Sequence, residues 1–212
     1  MKNFATQLVM VVTLLTAGIS QSAEENPQVQ LKTEMGNIVL ELYPKAAPVS
    51  VDNFVKLVND YHYDGLIFHR VIKGFMIQAG GFTFDFSPRE SSRGSIVNES
   101  SNGLKNKRGT LAMARMNDPD SATAQFFINH KPNSFLNPRG DNQGYAVFGA
   151  VVGGMEVVDA IASVETQRLG YHADVPVEPI RILSARLVNP SAWTPLPEPK
   201  PAPVIEKPVP LR

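Results

Sequence analysis

Residues 68–82 read Phe68-His69-Arg70-Val71-Ile72-Lys73-Gly74-Phe75-Met76-Ile77-Gln78-Ala79-Gly80-Gly81-Phe82. Two short apolar runs, Leu66 to Ile72 and Phe75 to Ala79, are separated by Lys73-Gly74, the pattern of strands joined by a turn. One cation sits inside the first run. If Phe68 to Ile72 is a strand, period-two alternation puts Arg70 on the face of Phe68 and Ile72, where an ordinary solvated arginine would have polar neighbours. Two readings follow. Either a carboxylate satisfies Arg70 and its role is structural, or the side chain is held over an apolar pocket for a neutral polar group of a substrate.

Working outward, Val29 to Glu34 alternates, Met35-Gly36-Asn37 makes a turn, and Ile38, Leu40 and Leu42 share a face, which predicts an amphipathic β-hairpin. After Pro44 the period lengthens to Val51, Phe54, Val55 and Val58, and Pro48 stands where a first helical turn tolerates a missing N–H, so a helix is expected over 48–59. Further short apolar runs at Leu111 to Ala114, Phe126 to Asn129 and Tyr145 to Val152 read as strands. A second helix fits Met155 to Ser163. A last strand fits Ile180 to Val188, with Leu183, Ala185 and Leu187 on one face. Many strands and two helices point to a mainly antiparallel barrel or sandwich.

The two ends of the 212-residue chain differ from this body in composition. Lys2, an apolar stretch from Leu8 to Ala17 and the run Gly18 to Ala23 have the order of a secretory signal peptide, too short for a membrane span. Ser20, Ser22 or Ala23 could precede the cut, and Ala23 is taken, so residues 1–23 are read as the leader. Residues 190–212 hold eight of the 17 prolines. Proline fixes φ and withholds an N–H, so a polyproline II or disordered tail of roughly 70 Å is expected, either a spacer or a docking ligand. Residues 24–189 carry no internal repeat and are read as one domain.

Composition removes whole classes of chemistry. The 20 Lys and Arg balance the 20 Asp and Glu, so no global field draws the chain to nucleic acid or to an anionic membrane. There is no Cys, which excludes disulfides, thiolate metal sites, a cysteine nucleophile and an N-terminal lipid anchor. His62, His69, His130 and His172 lack metal-ligand spacing, so no metal is expected. Gly149-Ala-Val-Val-Gly153-Gly154 lacks dinucleotide spacing and reads as tight turns, and no Gly-x-Ser-x-Gly elbow occurs.

Together with a second block, Leu111 to Arg115 continuing to Gln125-Phe126-Phe127-Ile128-Asn129, residues 68–82 resemble the signature of the cyclophilin-type peptidyl-prolyl isomerases. The resemblance runs from about Val29 to Val188. It implies a closed eight-stranded antiparallel barrel capped by two α-helices and a cofactor-independent isomerase of X-Pro bonds. Asp120 to Phe127, Phe135-Leu136 and Gly144-Tyr145-Ala146 are most similar to the exported cyclophilins of Gram-negative bacteria, which implies a periplasmic protein assisting the folding of exported polypeptides.

Carried over by position, the family's essential arginine falls on Arg70. The floor of its proline pocket falls on Phe75, Met76, Phe127 and Leu136, and its polar positioning groups on Gln78 and Gln125. Backbone near Ala114 and Arg115 would bind the peptide. Family members often carry Asn at the Arg115 position. Phe135 and Tyr145 stand where many eukaryotic members have Trp and His, which by resemblance implies weak cyclosporin binding. The implied partners are X-Pro polypeptides and, for the tail, an envelope protein, without nucleic acid or membrane insertion. Two other readings share the strand pattern: a peptide-binding chaperone module with little turnover, and a small-molecule carrier barrel. Neither requires Arg70, Gln78 and Gln125 together.

Overall fold

The computed structural model describes residues 25–197. The leader read over 1–23 and the tail beyond 197 lie outside the described residues. The first hairpin forms where alternation demands it, β1 (Gln28–Thr33) pairing with β2 (Gly36–Leu42) so that Val29 faces Leu40 and Leu31 faces Ile38. All four are fully buried. Helix α1 (Pro48–Asn59) follows, with Pro48 in its first turn and Val51, Phe54, Val55 and Val58 in the core. Ala47 gives it no side-chain cap. A distant carboxylate does so instead, Glu99 accepting from the N–H groups of Val49 (3.0 Å) and Ser50 (2.8 Å), which satisfies orphan donors at the positive end of the helix dipole.

The remaining elements are β3 (Leu66–Ile72), β4 (Met76–Thr83), β5 (Thr110–Met113), β6 (Phe126–Asn129), β7 (Val147–Gly153), α2 (Met155–Ile161), β8 (Thr166–Leu169), β9 (His172–Pro176) and β10 (Ile182–Leu187). Eight strands form one antiparallel sheet in the order β10-β1-β2-β7-β5-β6-β4-β3. Its edges meet where Gly65 N–H donates to Ile182 O (2.8 Å) and Phe68 N–H to Ile180 O (3.0 Å), rolling the sheet into a nearly closed barrel with two helices. Phe54, Tyr63, Phe126 and Phe148 pack ring against ring inside it at centroid distances of 5.0 to 5.4 Å. The interior is therefore filled. Gly154, before α2, takes φ +80, and a Cβ there would overlap the Asn37 carbonyl, so its role is the turn.

Three features differ from the sequence reading. Leu183 is 43% exposed while Ile182 is buried, because the register with β1 steps from Lys32↔Ser184 to Thr33↔Ile182 and a bulge reverses the alternation expected for Leu183, Ala185 and Leu187. β8 and β9 form a separate two-stranded hairpin that the sequence reading does not contain. The domain also does not stop at Asn189. Trp193 packs against the main core, and Leu196 N–H donates to Asp52 Oδ1 at 2.8 Å, so the first residues of the proline-rich stretch lie on α1. An aromatic ring and a buried acceptor supply what the prolines cannot.

Candidate active site

The β3–β4 pairing decides which way each site residue points. Phe68 pairs with Ala79, but the next partners are Arg70 and Gln78, two residues advanced on β3 against one on β4. The extra residue is a bulge, and it turns the alternation over. Phe68 and Ala79 enter the interior, whereas Arg70 shares its outward face with Ile72 and not with Phe68 as period two alone predicts. His69, within the bulge, is only 6% exposed.

On that outer wall lies a second apolar cluster, separate from the interior, made of Met76, Ala112, Phe127, Leu136 and Val147 with Ile72, Phe75, Ala114 and Tyr145 packed against it. It floors a cleft of about 360 Å³. Ten of the eleven residues singled out from sequence line this cleft: Arg70, Phe75, Met76, Gln78, Ala114, Arg115, Gln125, Phe127, Leu136 and Tyr145. Phe135 stands at the rim, 66% exposed, with its ring stacked on Phe75 at 5.5 Å.

The polar groups gather on one side. Gln78 Nε2 donates to Gln125 Oε1 at 2.9 Å, and Gly81 leaves room for that pair, since a Cβ there would come within 2.5 Å of the Gln125 amide and displace it. Arg70 makes no side-chain hydrogen bond among the described residues, and its nearest charged partner is Asp174, Nε to Oδ2 3.5 Å. Arg115 is occupied differently: its guanidinium lies 4.7 Å from the Tyr145 ring centroid and Nε donates to Gly144 O at 3.0 Å. The Ala114 N–H is committed to Gln125 O (3.0 Å), so Arg115, whose N–H has no acceptor among the described residues, is the better main-chain donor for a peptide.

Sequence reasoning misses His69, Phe82 and His172, which also line the cleft, and Asp174 beside it. It misses the scaffold behind the cleft too. Asn129 Nδ2 donates to Asn106 Oδ1 (3.0 Å), Asn133 Nδ2 donates to Asn129 Oδ1 (2.7 Å) and to Phe75 O (2.9 Å), and Asn106 Nδ2 donates to Leu136 O (3.3 Å). All three asparagines are buried. A signal existed in the apolar context of Asn129, at the end of Phe126 to Ile128, where a polar side chain needs partners. Burial pushes the His69 imidazole down to about 4, so it is neutral near pH 7. Among the described residues no group of three or more His, Asp or Glu could hold a metal.

A sequence model of the family described as cyclophilin type peptidyl-prolyl cis-trans isomerase/CLD matches residues 28–187. This chain belongs to the cyclophilins. A peptidyl-prolyl cis-trans isomerase of Acinetobacter baylyi is 52% identical over 169 residues, 80% of this chain and 89% of that one. Peptidyl-prolyl cis-trans isomerase A of Dickeya dadantii is 46% identical over 188 residues, 89% and 98% of the two chains. Among solved structures, a Cryptosporidium parvum cyclophilin crystallised in the presence of the dipeptide Ala-Pro superposes with a TM-score of 0.63 at 26% identity, covering 76% of this chain and 98% of that one. As a cyclophilin the protein is a peptidyl-prolyl cis-trans isomerase, an activity that needs no cofactor.

Proposed function

We propose that Arg70 is the catalytic group of this isomerase, aided by Gln78 and Gln125, and that the enzyme acts on X-Pro bonds of exported polypeptides in the periplasm and assists their folding. The observation that carries the reading is the position of Arg70, opposite Gln78 and at the edge of a cleft whose floor is Phe75, Met76, Phe127 and Leu136. Isomerisation breaks no covalent bond and requires only a temporary loss of amide resonance across ~18–20 kcal/mol.

As the bond twists, the prolyl nitrogen pyramidalises and gains a lone pair, so an N–H donor aimed at it binds the twisted state better than either planar one. A guanidinium serves because it stays charged and presents a planar fork of donors. A turnover of about 10³ per second needs roughly 7 kcal/mol of such differential stabilisation. One charge-assisted hydrogen bond gives ~1.5–3 kcal/mol, and the apolar floor supplies the rest by fixing the ring while the preceding carbonyl turns.

That the Cryptosporidium neighbour was crystallised in the presence of Ala-Pro supports a proline-containing ligand for this chain. The leader read in residues 1–23 supports export. The proline-rich end is proposed to reach an envelope partner. Isomerisation of an Ala-Pro peptide by wild type and Arg70→Ala tests the site, and fractionation of cells making the full chain tests the compartment. Recovery of the protein with its leader intact in the cytoplasm would overturn export.

A further inference from the structure

We propose that Asp174 is a positioning residue for Arg70, holding the inner edge of the guanidinium so that its outer nitrogens face the substrate. The inference deepens the catalytic reading of Arg70 and rests on it. Its basis is the hairpin absent from the sequence reading. β9 packs beside β3, and the ring of His172 anchors it against Phe82 (5.2 Å) and Phe86 (4.9 Å) while Val175 is buried. Between these two anchors the register runs from Leu169↔His172 to Gln167↔Val175, three residues of β9 against two of β8. Asp174 lies in this second bulge at φ +60, a left-handed conformation uncommon outside glycine. Bulges re-aim side chains beside active sites. Here two bulges, one in β3 and one in β9, bring Arg70 and Asp174 together, Nε to Oδ2 3.5 Å.

The chemistry gives this pair a use. The Arg70 side chain is 44% exposed, and its fork has no hydrogen bond to protein among the described residues. A flexible side chain so placed would lose rotamer entropy each time it met the twisted bond. A carboxylate at Nε restrains the plane of the guanidinium before substrate arrives.

The test uses Asp174→Asn, which keeps size and tolerance of positive φ while removing the charge, and Asp174→Gly, which accepts positive φ without strain and removes the side chain. We expect kcat on an Ala-Pro peptide to fall about three- to ten-fold, more in Asp174→Gly than in Asp174→Asn, with KM within about two-fold, and no further loss when either change is added to Arg70→Ala. Wild-type kcat in both variants beside an impaired Arg70→Ala would overturn the role of Asp174 alone. An equal loss in the Arg70→Ala background would show an effect of Asp174 independent of Arg70 and would also overturn it. Full activity in Arg70→Ala would remove the catalytic reading itself.

Discussion

Arg70 lies opposite Gln78 in the β3–β4 register, and Gln78 in turn donates to Gln125. The cation and the two amides thus form one row across the cleft. Replacing Arg70 with Ala is expected to lower kcat/KM ten- to a thousand-fold, as a loss of ~1.4–4 kcal/mol of transition-state stabilisation requires, with the melting temperature little changed. A protease-coupled or NMR exchange assay on an Ala-Pro peptide reads the outcome, and near-wild-type turnover would remove Arg70 from the mechanism.

Asn129 is expected to matter for stability. Its removal in Asn129→Ala leaves Asn106 Oδ1 and an Asn133 amide proton without their partners in the interior, a cost of about 2–3 kcal/mol. Because the same network holds Phe75 O and Leu136 O, peptide turnover should fall as well. Urea denaturation and the isomerase assay on the same preparation check both, and a change below about 0.5 kcal/mol would contradict the network's role.

His69 sets an acid limit. The unfolded chain takes up the imidazole proton near pH 6.5, whereas burial delays uptake in the folded protein to about 4. Between those values the unfolded state binds more protons, so stability is fully present above pH 6.5 and lost as pH falls toward 4, by roughly 3 kcal/mol for this group. His69→Gln should flatten that part of the stability profile relative to wild type. Parallel profiles for the two proteins between pH 7 and 4 would refute it.

The packing of Trp193 and Leu196 on α1 gives different expectations for two truncations. Ending the chain after Asn189 removes the Trp193 contact with the core and the Leu196 to Asp52 hydrogen bond, and should cost about 1–3 kcal/mol. Ending it after Pro197 keeps both of these contacts and, since proline-rich sequence buries little, should leave the melting temperature near that of the full chain. Equal melting temperatures for the two truncations would show that Trp193 adds nothing.

The physics of what sequence discloses runs through these elements. α1 was legible because a 3.6 period and Pro48 agree on its start, and β6 because a continuous apolar run has clear ends. The cleft residues were legible through two motif blocks that the barrel brings side by side. The bulges at His69 and near Leu183 were not, since an inserted residue leaves no compositional mark and yet reverses every face beyond it. All four residues of β8 are exposed, so no alternation betrays the hairpin, and Asp174 went unseen with it. The Asn106, Asn129 and Asn133 network is tertiary. Asparagine in isolation reads as a turn former, and only the fold provides its partners.

The filled interior has a consequence for what can be a substrate. Because the barrel is packed with rings, the proposed site lies on its outer surface, where a long chain can lie across the wall without being threaded or presenting a free end. A proline in the middle of a polypeptide, in a loop already flanked by folded structure, is as reachable as one near a terminus. On the proposed reading of the cleft, access is governed by how far a substrate's own backbone stands off its surface.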